Sequence, residues 1–428
     1  MTALAALVAA AVGGAILFVP ASRVPRSSGP LACEAYVWQR RWGEETARAV
    51  REHGPALARL VVLVAEVGWQ GGRRQVARTA LDHAALASTG KPLGLALRIG
   101  PCPGPSGPGD APETTEFLAA LAAGLLEEAA GCGLRAAELQ VDFDCAVSKL
   151  DGYRVWVEAI RDRIAPAPVT ITVLPSWLDR RGFGRLVAAA AGFVLQVHSL
   201  ERPAAPGAPL VLCDPASAAR WVERAARFGA PFRVALPTYG YRVAFAADGK
   251  LLCLSAEGEE PLWPEGAAVR EARADPAALA GLVALWTRDR PANLAAAIWY
   301  RLPVRSDVLN WRWTTLAAVM AGREPRPALA VEARRPERCL LEVDLVNGGE
   351  EDLALERAVS VRWKGASLLA GDVVSGMEWI DAGPGEVLLR PAAGPTRGRI
   401  FPGERRPVGW LRFREEADVE VELAASIR

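Results

Sequence analysis

The chain alternates two kinds of apolar pattern. Short runs of branched and aromatic residues, such as "RLVVLVAEV" (59–67), "LGLALRI" (93–99), "ELQVDFD" (138–144) and "VTITVL" (169–174), are followed by longer stretches with helical spacing. The helical stretches include "TTEFLAALAAGLLEEAAG" (114–131), "LDGYRVWVEAIRDRI" (150–164) and "ASAARWVERAARFG" (216–229). With "EAYVW" (34–38), "FVLQVHS" (193–199), "FRVALPTY" (232–239) and "LAAAIWY" (294–300), the strand-like runs number eight. Strand and helix in regular alternation predict parallel strands joined by helical crossovers. Eight such units predict an α/β fold, a closed eightfold β/α barrel of the TIM type. An open doubly wound sheet is the alternative, but its first turn normally carries glycines that cradle a phosphate. Here "EAYVWQRRW" offers aromatics and arginines instead, and no GxxxxGK[ST] occurs.

Two insertions interrupt the rhythm, "GPCPGPSGPGDAP" (100–112) after the third strand and "YRVAFAADGKLLCLSAE" (241–257) after the seventh. The second predicts a hairpin turning at Asp248 and Gly249. Both follow the C-terminal ends of strands, the rim where binding loops belong. Beyond residue 322 the texture changes, and short alternating runs between glycine and proline clusters predict a small all-β, sandwich-like domain. The expected division is a barrel over 33–322, a linker over 323–328 and the β domain over 329–428.

Residues 3–19 are continuously apolar, which marks 1–32 as a signal peptide or N-terminal membrane anchor plus spacer and predicts an extracytoplasmic protein. Lysine plus arginine (50) balance aspartate plus glutamate (49), so no net field favours nucleic acid. The seven cysteines form no CxxC, which gives neither a zinc ribbon nor a disulfide framework. No cofactor motif is present.

Alternation along a strand assigns the polar residues to faces. In "ELQVDFDC" the residues Gln140, Asp142 and Asp144 share one face, opposite Leu139, Val141 and Phe143. Placed inward, the two aspartates stand at the barrel mouth, the usual active-site end of this fold. The same counting sends Glu66 inward behind Val62 and Val64, Arg98 behind Ala96, His198 behind Gln196, Tyr239 behind Ala235, and Trp299 behind Ala297. Trp38 and Trp177 fall at strand ends. Aromatic faces pack on sugar rings, and paired carboxylates serve as acid and as base or nucleophile. The candidate catalytic residues are therefore Asp142, Asp144 and Glu66. The candidate carbohydrate-binding residues are Trp38, Arg98, Trp177, Gln196, His198, Tyr239 and Trp299. Asp142, Asp144 and His198 are too sparse a set to predict a metal site. Ser176, His198 and Asp144 raise a serine-hydrolase alternative, but "LPSWL" lacks the GxSxG elbow.

Several blocks in one order, "AYVWQRRW", "LQVDFDCAVSKLDGYRVWVEAIR", "ITVLPSWL", "FVLQVHSL" and "IWYRLPV…DVLNWRW", resemble the bacterial family catalogued as domain of unknown function 3142, over roughly residues 34–315. That resemblance implies a glycoside-hydrolase-like barrel by analogy of fold. Chitinase-like hydrolases carry DxxDxDxE at the end of the fourth strand, with the last glutamate as acid. Laying their final aspartates on Asp142 and Asp144 puts Ala146 where that acid belongs. The expectation is a glycoside hydrolase-like protein acting on a polysaccharide or oligosaccharide, with a non-catalytic carbohydrate-binding or envelope scaffold as the alternative.

Overall fold

Strands with a continuous apolar outward face demand cover there, and the chain provides it by closing the sheet inside a ring of helices. The computed structural model describes residues 24–70, 73–101, 112–200, 202–257, 262–374, 376–392 and 398–424. The apolar start over 3–19 and most of the proline-rich insertion at 100–112 lie outside the described residues. No helix among the described residues is long and apolar enough to cross a membrane.

Eight parallel strands form the barrel: Ala32–Val37 (β1), Arg59–Gln70 (β2), Leu93–Ile99 (β3), Ala136–Phe143 (β4), Val169–Val173 (β5), Gly192–Gln196 (β6), Phe232–Pro237 (β7) and Leu294–Tyr300 (β8). Each pairs with its sequence neighbours, and β1 pairs with both β2 and β8, so the ring is closed. Helices Glu44–His53 (α1), His83–Ser88 (α2), Pro112–Gly131 (α3), Leu150–Ile164 (α4), Arg181–Ala189 (α5), Pro215–Ala226 (α6), Pro276–Arg288 (α7) and Trp313–Met320 (α8) follow the strands in turn. Helix starts are chemically marked: Asp82, Asp214 and Asp275 accept from the backbone N–H of Ala85, Ser217 and Ala278, and Pro215 and Pro276 open their helices.

The barrel interior is layered. At its lower end Arg233 donates to Glu34 (2.8 Å) and Glu138 (2.6 Å), and Arg59 lies 3.1 Å from Glu138, a buried ion cluster that fills the base. Above it, Gln140 donates to the Tyr36 hydroxyl at 2.6 Å among Val61, Leu63, Ala96, Val194, Ala235 and Ile298. The opposite face of every strand packs under the helices in one large apolar core.

The insertion after β7 is a three-stranded antiparallel sheet, Gly240–Phe245 between Leu251–Ser255 and Ala268–Arg273. Its predicted hairpin turns at Gly249 with φ +82°, where a Cβ would be strained. The third strand of that sheet and a hairpin pairing Arg73–Arg78 with the end of β2 were not expected from the sequence. Residues after 322 form all-β structure, two four-stranded antiparallel sheets whose inner faces share one apolar cluster that includes Val343, Leu345, Val361, Val387, Leu389, Leu411 and Phe413. The segment before β1 also packs on the barrel: Arg26–Ser27 pairs with Arg290–Pro291 and Leu31 is buried.

Candidate functional site

A cavity of about 510 Å³ opens at the C-terminal end of the barrel strands. Asp142 and Asp144 come from the end of β4, Arg98 from β3 and Thr172 from β5. Around the rest of the ring stand Tyr36 and Trp38 from β1, Gln196 and His198 from β6, Tyr239 and Tyr241 from the end of β7, and Tyr300 from β8. Four of the chain's five tyrosines line this one space.

Asp142 is buried and partnered on both sides. Thr172 Oγ1 donates to its Oδ1 at 2.7 Å, and Arg98 reaches its Oδ2 at 3.2 Å. Burial first, then the neighbouring Asp144 charge, push its carboxyl up to about 6, against the opposing pull of Arg98 and Thr172. Asp144 is also raised by loss of solvent on its barrel side, with Arg98 opposing; its exposure to the open mouth lets water screen that effect. The pair therefore retains a proton into a pH range where an isolated aspartate has lost it.

The aromatic wall is interlocked. Trp38 meets Tyr36 edge-on at 5.2 Å, Tyr300 lies 5.6 Å from Trp38, and the His198 ring lies 5.7 Å from that of Tyr300. His198 Nδ1 shares a hydrogen bond with the Tyr239 hydroxyl at 3.1 Å. Burial lowers the imidazole to about 3, so His198 is neutral across the physiological range.

Two expected ligand-facing tryptophans lie elsewhere. Trp299 is fully buried on the helix side of β8, 6.0 Å from Trp311, because Ile298 and Tyr300 take the inward positions. Counting from Ala297 gave the wrong face. Trp177 sits in the short turn after β5 and packs edge-on to Tyr153 at 6.3 Å, beneath the helices. Neither lines the cavity.

Glu66 shows how a bulge alters the count. Val61 and Leu63, not Val62 and Val64, face inward on β2. The register against β3 shifts between Leu63 and Ala65, and the extra residue brings Glu66 level with Arg98. Glu66 thus faces the side that was expected, for a different reason. It remains outside the cavity lining, paired to Arg40 (2.9 Å) and 3.6 Å from Arg98. The Arg40 hydrogen bond, ahead of the Arg98 charge, holds its carboxyl below the ordinary range, a poor setting for a proton donor. The Ser176 alternative also fails, since Ser176 is absent from the cavity lining that holds His198 and Asp144. Among the described residues no cluster of three histidine, cysteine or carboxylate side chains is placed to hold a metal.

Tyr36, Gln39, Arg40, Thr172, Tyr241, Glu257, Tyr300 and Arg301 line the cavity without having been picked out in the sequence. Even spacing along β5 from Thr170 and along β8 from Ile298 reaches Thr172 and Tyr300 once the inward faces of those strands are known. Glu257, on an insertion, carries no periodic signal.

Residues 108–305 match the model of the family described as "Domain of unknown function (DUF3142)". The resemblance to that family is thereby shown. The matched span covers β4 to β8 and therefore the acid pair. No curated protein matches the chain. Among solved structures it resembles the spore cortex-lytic enzyme SleL of Bacillus megaterium QM B1551, with TM-score 0.50, 11% identity, and 70% of this chain and 75% of that chain covered. SleL of Bacillus cereus gives 0.48 and 11% over the same shares, and a chitinase from Chromobacterium violaceum ATCC 12472 gives 0.43 and 13%, covering 68% of this chain and 98% of that one. At such identity the likeness to the first concerns the fold alone, a closed β/α barrel.

Proposed function

We propose that the chain is a carbohydrate-active barrel protein that hydrolyses a polysaccharide or oligosaccharide at the mouth, with Asp142 and Asp144 as the proton-holding pair. The observation that carries this reading is the placement of two carboxyls of raised pKa under an aromatic wall in one open cavity. Trp38 and Tyr300 offer ring faces to a sugar, while Gln196, Arg98 and the tyrosine hydroxyls bind its own hydroxyls. Asp144 is the member that reaches a glycosidic oxygen, because Asp142 is occupied by Thr172 and Arg98. Asp142, pushed up further by the Asp144 charge, holds a proton beneath it.

The same reading extends to the rest of the chain. The two C-terminal sheets act as a sandwich domain over 329–428, joined through 323–328 to a barrel over 33–322, and within residues 1–32 the apolar start at 3–19 carries the protein out of the cytoplasm or anchors it to the membrane, while the segment from Arg26 on packs against the barrel. Glycan binding without turnover is the second reading, favoured by Ala146 in the place of the usual acid. Titration of the full-length protein with oligosaccharides of several linkages, cell-wall glycans included, tests the site. Binding that weakens at least tenfold in Trp38→Ala supports it, and a panel with no binder removes it.

A further inference from the structure

The acid pair leaves open which group stands across from it, and the closed ring answers by topology. Strand β4 lies opposite β8, with β7 beside it, and the insertion after β7 reaches over the mouth on that side. It delivers Glu257, which with Asp142 and Asp144 makes up the carboxylates lining the cavity.

Glu257 is built in rather than loosely placed. Its Oε1 accepts from the backbone N–H of Leu309 and, at 2.8 Å, from that of Asn310. The loop that offers these two donors is itself pinned. Asp307 accepts from Val304 N (2.9 Å), Arg301 (2.6 Å) and Asn310 Nδ2 (2.9 Å), while Thr238 accepts from Arg301 N and donates to its carbonyl, both at 2.8 Å. The ends of β7 and β8 thus fix one carboxylate oxygen as an acceptor. Oε2 has no hydrogen bond among the described residues.

Resting on the hydrolytic reading above, we propose that Glu257 is the base of the reaction, facing the Asp142–Asp144 pair across the cavity. The Glu257 carboxylate takes a proton from a water whose oxygen bonds to the anomeric carbon. The bond from that carbon to the glycosidic oxygen breaks, and the leaving oxygen takes its proton from Asp144. The sum is addition of one water, with inversion at the anomeric carbon.

A purely structural Glu257 would do no more than tie the insertion to the loop at 309–310. Glu257→Gln keeps an acceptor oxygen for those N–H groups and removes the base, whereas Glu257→Ala removes both. On a glycan that the wild type hydrolyses, Glu257→Gln is expected to lower kcat by about 10²–10⁴-fold. Its substrate Kd and melting temperature should stay near wild type, the acidic limb of the pH profile should vanish, and the first product seen by NMR should have inverted configuration. Wild-type kcat in Glu257→Gln, with loss confined to Glu257→Ala, overturns the assignment and leaves an anchor. A retained anomeric configuration overturns it too, as does a wild-type protein that binds glycans and hydrolyses none. If Asp144→Asn abolishes turnover and Glu257→Gln does not, only the role of Glu257 falls; if neither changes turnover, the acid-pair reading falls with it.

Discussion

Thr172 donates its hydroxyl proton to Asp142 Oδ1 at 2.7 Å from the neighbouring strand. A threonine at this inward position of β5 satisfies a carboxyl that is nearly cut off from water, and Arg98 does the same from β3. An unpartnered carboxylate at that depth would cost several kcal/mol. Held from both sides, it survives as a group that titrates near neutrality.

Removing the hydroxyl tests that balance. Donation by Thr172 favours the charged form, so Thr172→Val should move the Asp142 carboxyl further up from about 6. The protonated pair then persists to higher pH, and the basic limb of kcat should move up by roughly one to two pH units, since a hydrogen bond to a charged group is worth about 1.5–3 kcal/mol. A shift downward contradicts the role given to Thr172.

The same carboxyl taxes stability. A folded value near 6 against an ordinary 3.8 means that the native state holds the proton more tightly, so its contribution is present below pH 3.8 and lost as pH rises through 6. Asp142→Asn should be more stable than wild type at pH 7 by up to about 3 kcal/mol in urea unfolding, with the gain gone below pH 4. Equal stabilities at pH 7 would contradict the raised value.

His198 gives the opposite slope. Its folded value near 3 lies below the ordinary 6.5, so the unfolded chain takes up the proton first and stability falls as pH drops from 6.5 toward 3. In His198→Asn that part of the acid slope should disappear. Melting curves of the two proteins at pH 7 and pH 4.5 measure it, and parallel losses in both would count against a buried neutral imidazole.

The two misplaced tryptophans supply a control. Trp299→Ala and Trp177→Ala each empty a fully buried site under the helices and should cost about 3–5 kcal/mol. Glycan affinity of the folded fraction should match wild type, whereas Trp38→Ala should lose it. Loss of affinity in Trp299→Ala at full folding would restore that residue to the site.

What the sequence revealed follows from what periodicity encodes. The eight strands and the inward face of β4 were legible because apolar alternation there is unbroken, from Leu139 to Phe143. The inward face of β8 was not, since "LAAAIWY" is apolar on both faces and only the register against its neighbours puts Ile298 and Tyr300 inside. The bulge at Val64 is invisible in a run of valines, and its effect on Glu66 emerged by coincidence of two errors. Thr172 and Glu257 were missed because a threonine in a strand and a glutamate in a loop are ordinary until their partners are known.

Asp352 joins the barrel's insertion to the β structure that follows. It accepts from Arg273 at 2.8 Å and from Arg399, with both Asp352 and Arg273 largely buried. Asp352→Ala removes the carboxylate that two guanidinium groups share, leaving Arg273 with Glu271 and the Val308 carbonyl and Arg399 with the residue 352 carbonyl, and should cost about 1–3 kcal/mol. Calorimetry should then resolve the β domain from the barrel as two transitions; a single transition at the wild-type temperature would show that the contact carries little.

The central claim is that Asp142 and Asp144 act on a glycosidic bond, and hydrolysis itself tests it most directly. Reducing ends released from a panel of glycans by wild type, Asp142→Asn and Asp144→Asn are to be compared at pH 6. The account predicts that wild type cleaves at least one glycan and that each variant cleaves it at least 100-fold more slowly while still binding it. Cleavage at the wild-type rate by both variants would contradict it.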